Sequence, residues 1–450
     1  MFLLTVMFTV CNDSKSKDKS TAEDTMITTH NPLLVESKLP YFAPDFTNIT
    51  NVHFKPALEQ GISEQEKAIN NIANNTESAT FENTVGALEK SGLLLERVQN
   101  VFFGLTGAHT NDTLQAVQEE MAPKFSELQD ALYLNDKLFQ KVKALYTKKE
   151  TLGLDAESLK LLENYFEDFE KAGANLIPED KETLKGYNAK LASLINSFNT
   201  TLLEANNAGA LVFTDKEALA GLSTAELKAL ENKEGEGWKI PLQNTTQQPL
   251  LQSLEKRATR EKIFKAAWNR TDGSKNDTKA IISEIAELRA KKGALLGFAN
   301  YAEWSLQKTM AETPEHVFKM FNGLIPAATA KAKREAVEIQ EMIKSKGEGF
   351  TLEAWDWNRY AEMVRKAKYD LDENEIKPYF EMQVVLEKGV FYAAERLYGI
   401  TFKERKDIPT YHNDILVYEL FETDGSALGL FYADFFARPS KRGGAWMSNF

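Results

Sequence analysis

Residues 178–208 read PEDKETLKGYNAKLASLINSFNTTLLEANNA. Apolar side chains recur at Leu184, Tyr187, Leu191, Leu194, Phe198, Leu202 and Ala205, every three or four positions, which is the spacing of one face of an α-helix. Pro178 suits a first helical turn, where its missing N–H forfeits no bond, and Glu179 and Asp180 lie at the positive end of the helix dipole. The stretch therefore predicts one long helix burying a single stripe, and it sets the fold class as mainly α.

Working outward, the same period runs from about Leu39 to Ala208, as expected for amphipathic helices packed on one another. Val85, Leu88, Leu95, Val98, Phe102 and Leu105 form a second stripe, with Gly92 allowing a neighbour to approach closely. Thr214 to Glu217 and Ser223 to Glu226 both carry the S/T-x-x-E pattern of a capping box, with Gly221 between them. Residues 231–248 are rich in Gly, Asn, Gln and Thr and hold a short β-like piece from Trp238 to Leu242. The domain boundary is placed there, giving a terminal segment 1–30, a helical domain 31–240 and a second domain 241–450.

Helical patterning resumes from Pro249 to Lys346, broken by Gly297 and by Thr313-Pro314, where Pro314 suits the first turn of the helix that holds Val317, Phe318, Phe321 and Leu324. Another helical block reaches about Tyr398. Beyond Tyr411 the period becomes two, with Ile415–Phe421 and Leu428–Phe435 flanking Asp424-Gly425, and then Gly444–Phe450. The expected architecture is multi-helix and two-lobed, with a small antiparallel β-sheet near the C-terminus of the chain.

Charge and cysteine usage narrow the function. With 54 basic and 66 acidic residues the formal charge is -12 and the pI about 5.2, which argues against a nucleic-acid partner and for a small molecule, peptide or protein. The single cysteine, Cys11, excludes an intrachain disulfide and a cysteine-rich zinc site. Met1–Cys11 is the one strongly apolar stretch, far short of the roughly 20 residues that span a bilayer. An apolar run ending at a cysteine, followed by a polar tether to Thr25, resembles a lipoprotein signal in which Cys11 is lipidated and holds the protein at the cell envelope or in the periplasm. The lack of a preceding basic residue, and Phe8 and Val10 where such signals favour Leu and a small residue, leave a cytoplasmic location as the alternative.

The five histidines, His30, His53, His109, His316 and His412, include no pair within one helical turn, so the two-histidine zinc helix H-E-x-x-H is not written in these residues. No metal ligand or catalytic residue is assigned. No G-x-S-x-G elbow or phosphate loop occurs. Asp370, Asp372, Asn374 and Glu381 imitate the ligand spacing of a calcium loop, but Glu375 stands where the sharp turn needs glycine and Pro378 stiffens the second half, so a solvated acidic loop is expected.

Several ordered blocks carry a resemblance: Asn31-Pro32-Leu33-Leu34 with Pro40-Tyr41; Ala108-His109-Thr110-Asn111-Asp112; Leu295-Leu296-Gly297-Phe298; Arg396-Leu397-Tyr398-Gly399; and FFARPSKRGGAWM over 435–447. In these the chain resembles the thimet oligopeptidase family of zinc peptidases, in its bacterial peptidyl-dipeptidase branch. The resemblance implies removal of dipeptides from the C-termini of short peptides, with zinc as cofactor, by a protein expected to act as a monomer. It also implies that the zinc helix follows the GGAWM stretch, so that these 450 residues are expected to be inactive alone. Gly443, Gly444 and Ala445 are the expected substrate-binding residues, at a sheet edge where the glycines leave room for a peptide backbone, the alternative being that they merely bend a strand. Some apolar faces bearing Phe264, Trp268, Trp304, Phe318, Phe380 and Phe391 are expected to lie uncovered. The reading from another class is a non-enzymatic, lipid-anchored peptide-binding protein.

Overall fold

In the computed structural model, which describes residues 30–370 and 373–450, successive helices open on side-chain caps. Asn111, Asn135 and Asp155 each accept a hydrogen bond from the backbone N–H three residues on, at 3.1, 3.1 and 2.8 Å, starting the helices Asp112–Tyr133, Asp136–Thr147 and Ala156–Ala172. The stripe read as one from Val85 to Leu105 is divided at Gly92 between two helices, Val85–Glu89 and Leu93–Ala108. Gly92 takes φ +78 between them and faces the Gln65 side chain, so both its left-handed backbone and its lack of a Cβ are used.

The helix Pro178–Ala208 forms as its period requires, and packs its buried Leu184, Leu191, Leu194 and Ala205 mainly against Asp112–Tyr133 and against Lys279–Leu295. At that three-helix junction Lys292 donates to Asn188 Oδ1 at 2.7 Å and Asn188 donates to Asp130 at 2.7 Å. Phe54, Leu58, Phe102, Met121, Phe139 and Phe169, all fully or nearly fully buried, form the centre of the N-terminal core. The hydrophobic effect of burying such side chains contributes about 1.5–3 kcal/mol each.

A second, smaller core gathers Phe213, Leu219, Leu230, Ile240, Leu250, Leu254 and Ile263, residues from both sides of position 240. It rests under the two-stranded antiparallel sheet of β1, Leu211–Phe213, and β2, Trp238–Ile240. The Ser223 capping box forms with Glu226, whereas the cap before Lys216–Leu219 is Asp215 and not Thr214, because Asp215 Oδ1 already accepts the Glu217 N–H at 2.9 Å. Arg260 and Asp356, both wholly buried, join the helices Arg257–Trp268 and Trp357–Tyr369 through a 2.9 Å ion pair that Arg257 completes.

The helix Pro314–Ser345 starts as expected on Thr313, with Pro314 in its first turn. Phe318 is 61 % exposed, as expected of an uncovered apolar face, and Phe321 and Leu324 also face solvent, because no described element covers them. Only its far end is buried, where Ile339 and Ile343 meet Tyr360. Trp268 and Phe380 are likewise mostly exposed, in line with the expectation of uncovered apolar faces, while Phe264 and Trp304 are partly buried.

The C-terminal sheet is antiparallel with order β3-β4-β5: Thr401–Glu404, Leu416–Phe421 and Ala427–Ala433. The fold is thus mainly α with a small antiparallel sheet late in the chain. Asp424-Gly425 makes the β4–β5 turn as read, with Asp424 accepting the Ser426 N–H. Two details differ from the periodicity: β3 carries no alternating apolar signal, and Gly444–Phe450 forms no strand. The sheet buries Ile408, Ile415 and Val417 against Ala43, and Tyr41 donates to Glu419 at 3.0 Å, so the first described residues close over one face of the sheet. The calcium-like spacing falls partly outside the described residues, at Asp372; Asp370 ends its helix in the left-handed conformation. Cys11 and the rest of the signal-like segment also lie outside them.

Candidate functional site: an open glycine segment held by a buried ion knot

After β5 the chain turns at Asp434, and the next eight residues are fixed to the end of the Leu93–Ala108 helix. Arg438 is 8 % exposed and donates Nη1 and Nη2 to the Asp434 carboxylate at 2.9 and 2.5 Å and Nε to Ala108 O at 2.9 Å. Lys441 adds an ion pair to Asp434 at 3.0 Å and donates to the Asp434 carbonyl at 2.6 Å. Tyr411 donates its hydroxyl to the same carboxylate at 3.0 Å. Burial alone would push the Asp434 carboxyl up, but the bonds from Arg438, Lys441 and Tyr411 outweigh it and hold the group below the usual carboxylate range. Burial first, then the Asp434 charge, pushes the Tyr411 phenol well up, so it stays a donor at neutral pH.

Backbone bonds complete the docking. Thr110 N–H donates to Ser440 O at 3.0 Å, and Arg442 N–H donates to Gly107 O at 2.9 Å. Two more carbonyls of the segment are capped from elsewhere: Pro439 by Asn207 at 3.2 Å and Arg438 by Gln243 at 2.9 Å. Gly104 and Gly107 are small because the segment lies on them; a Cβ there would meet the Phe450 ring at 3.2 Å and the Arg442 guanidinium at 2.9 Å. Phe450 in turn packs edge-on against Phe46, Tyr411 and Tyr432.

Between the Arg438 knot and the Phe450 anchor, Gly443, Gly444 and Ala445 are exposed, and among the described residues no backbone hydrogen bond engages the chain from Gly443 to Phe450. Gly444 takes φ +101, and a Cβ at Gly443 or Gly444 would meet nothing within 4 Å. The glycines are therefore not squeezed by a neighbour; they leave an open, bent backbone with unpaired N–H and C=O groups. Lys441 and Arg442 stand over the Trp446 ring at 5.8 Å each, which limits how this stretch can turn. The arrangement can offer a main-chain ladder to an extended peptide, with β5 also unpaired on its outer side among the described residues.

Sequence spacing missed the histidine pair. His109 and His412, distant along the chain, meet edge to face with centroids 5.2 Å apart, and His109 Nδ1 lies 3.1 Å from Ser440 Oγ. Burial, Arg438 and His412 all depress the His109 pKa, and only Asp434 opposes them. The pair does not make a metal site: the Asp414 N–H donates to His412 Nδ1 at 3.2 Å, and among the described residues no three His, Cys, Asp or Glu side chains converge. The residues described do not fit the zinc that the resemblance implies.

Residues 250–450 match the family model Peptidase family M3. The chain is 48% identical over 434 residues to the dipeptidyl carboxypeptidase of Escherichia coli K12, an alignment covering 94% of this chain and 63% of that protein. It is 46% identical over 426 residues to the dipeptidyl carboxypeptidase of Salmonella typhimurium LT2, covering 93% and 63%. Against oligopeptidase A of Escherichia coli K12 the identity is 28% over 428 residues, covering 93% and 62%. The chain thus spans a little under two thirds of the length of these relatives. The segment 435–447, docked by its own charges, lies within residues 250–450, the part of the chain that matches peptidase family M3, and the helical layer ahead of it lies within the alignments to the dipeptidyl carboxypeptidases.

Proposed function

We propose that the protein is a zinc-dependent peptidyl-dipeptidase that releases dipeptides from the C-termini of short peptides. The observation that carries this reading is the 48% identity to a dipeptidyl carboxypeptidase across 94% of the chain, against 28% to an oligopeptidase A over a similar span. Within these 450 residues the contribution to catalysis is steric and positional. The Asp434–Arg438–Lys441 knot fixes Gly443, Gly444 and Ala445 as an open backbone wall, where a substrate strand can be held extended. The knot also ties that wall to the helical layer, so a peptide on it is flanked by packed helices that a folded protein cannot enter. Metal chemistry is assigned to groups other than the described residues.

Short peptides are the proposed partners and a monomer the proposed state; the charge of -12 gives no reason to add a nucleic acid. Attachment to the cell envelope through Cys11 rests on the sequence pattern alone, and among the described residues no helix is long and apolar enough to cross a membrane. Radiolabelled palmitate entering the wild type but not Cys11→Ser tests it. The named relatives are peptidases, and nothing favours the non-catalytic binding reading. The function is tested with paired peptides whose C-termini are free or amidated. The protein expressed from its own gene, with any residues its frame encodes after Phe450, should cleave the free form and discriminate against the amide. Equal internal cleavage of both would replace the reading with an oligopeptidase.

A further inference from the structure

Residues 39–44 read LPYFAP, a Tyr-Phe pair between two prolines. Leu39 is extended ahead of Pro40, and Pro44 keeps Ala43 out of the helical region, so the chain reverses at Tyr41 and Phe42. Both take positive φ, +58 and +57. The turn closes with Phe42 N–H donating to Leu39 O at 3.0 Å and Ala43 N–H donating to Pro40 O at 3.1 Å. A left-handed backbone crowds a Cβ, so turns with two such residues favour glycine and asparagine. Strain of this kind persists where surrounding contacts enforce it, and it concentrates at functional elements. The Phe42 ring does not enforce it, being 63 % exposed.

The enforcing contacts lie on its two neighbours. Tyr41 donates its hydroxyl to Glu419 at 3.0 Å, and Arg405 fixes Glu419 from the other side at 2.7 Å. Ala43 is buried on Ile408, Ile415 and Val417. The strained turn is thereby drawn onto the sheet, and it delivers Phe46 edge-on to both Tyr411 and Phe450, at centroid distances of 5.3 and 5.6 Å. Those two rings bracket the open glycine segment. Tyr411 donates to Asp434 in the knot before it, and Phe450 anchors the chain after it. Phe46 also packs against the N-terminal core, so one ring joins the helical layer to both ends of the segment.

We propose that residues 39–46 are a positioning strap: the strained Tyr41-Phe42 turn, held down by Glu419, sets Phe46, and Phe46 sets where Gly443, Gly444 and Ala445 lie. That these three residues face a peptide rests on the peptidase reading above; the mechanical link does not.

The test uses the 450-residue chain labelled with 5-fluorotryptophan, the Trp446 resonance being assigned with Trp446→Phe. Tyr41→Phe removes only the oxygen that reaches Glu419. Exchange of the Ala43 amide should rise about tenfold, as for one lost hydrogen bond to a charged group, and the Trp446 resonance should shift while the other tryptophans stay unmoved. Phe46→Ala should shift Trp446 further, and Phe46→Tyr, which keeps the ring, should restore it. Phe42→Gly should slow Ala43 exchange about fivefold relative to Phe42→Ala, because only glycine takes a positive φ without strain, and should leave Trp446 as in the wild type. In the protein expressed from its own gene, with any residues its frame encodes after Phe450, Tyr41→Phe and Phe46→Ala should raise KM about fivefold with kcat little changed. The segment holds the peptide and not the reacting atoms, so its loss removes binding common to ground and transition states. Faster Ala43 exchange with an unmoved Trp446 resonance, or a moved resonance with unchanged KM, overturns the proposal. Absence of cleavage by the wild type would refute the peptidase reading alone, and the Trp446 resonance would still decide the strap.

Discussion

Arg438→Ala removes the centre of the knot that docks residues 434–442, and the structure sets the size of the effect. The lost groups are a two-pronged pair to Asp434 and a bond to Ala108 O, between side chains only 8 and 11 % exposed, so water screens them little. Breaking a buried pair by deleting one partner costs about 3–5 kcal/mol. Asp434 keeps Lys441 at 3.0 Å and Tyr411 at 3.0 Å, which places the expected loss at the low end, about 3 kcal/mol. The loss should be local, because Arg438 bridges a segment and a helix end and lies outside the main core. Hydrogen exchange reads it directly: the amides of Thr110 and Arg442, bonded across the joint, should exchange on the order of 100-fold faster, at 1.4 kcal/mol per decade. Amides of Leu184 and Leu191, inside the long helix, should barely change. Acceleration at Thr110 and Arg442 below about threefold would refute the reasoning, since it would mean that the backbone bonds hold the segment without the knot.

The same joint should weaken in acid. The His109 pKa is depressed by burial, by Arg438 and by His412, with Asp434 opposing, so as pH falls below 6.5 the undocked or unfolded chain takes up the proton first; the stability present above 6.5 is lost as pH falls through the folded pKa, and His109→Gln should remove that part of the pH dependence of Arg442 exchange. Asp356→Ala strands the fully buried Arg260 and should cost about 3–5 kcal/mol in urea unfolding, whereas a loss below about 1 kcal/mol would show that Arg257 and the local carbonyls carry no strain from it. Gly92→Ala meets both φ +78 and Gln65 and should lower stability by about 1–2 kcal/mol, measured the same way; a neutral result would show that the turn can re-form. Phe318→Glu with Leu324→Glu, on the exposed face of Pro314–Ser345, should reduce light scattering of the 450-residue polypeptide without loss of helical signal, and unchanged scattering would remove that face as the source of association.

Local signals survived folding where they were self-contained. The Pro178–Ala208 helix, the Ser223–Glu226 box, the Thr313-Pro314 start and the Asp424-Gly425 turn each need only neighbours in sequence, and all were legible. Thr214 was misread because Asp215, the stronger competitor for the same amide, stands beside it. The stripe at Phe318 and Leu324 has the right period, but a period says only that a face can be buried, not that something covers it. Gly444–Phe450 looked like a strand because its residues alternate, yet its place is fixed by Arg438 behind it and Phe450 ahead of it, leaving the ladder unpaired. Of the site, Gly443, Gly444 and Ala445 came from the resemblance. Asp434, Tyr411 and His109 could not, because no spacing rule joins residues that meet only after helices and sheet have docked.

The most direct test of the account is product analysis by mass spectrometry on an N-blocked tetrapeptide, run on two samples. One is the protein expressed from its own gene with any residues its frame encodes after Phe450; the other is the polypeptide Met1–Phe450. The account predicts that the first releases the C-terminal dipeptide intact and stops when a metal chelator is added, while the second releases nothing and retains no stoichiometric zinc. Release of single amino acids by the first sample, or a tightly held zinc and cleavage in the second, would contradict it.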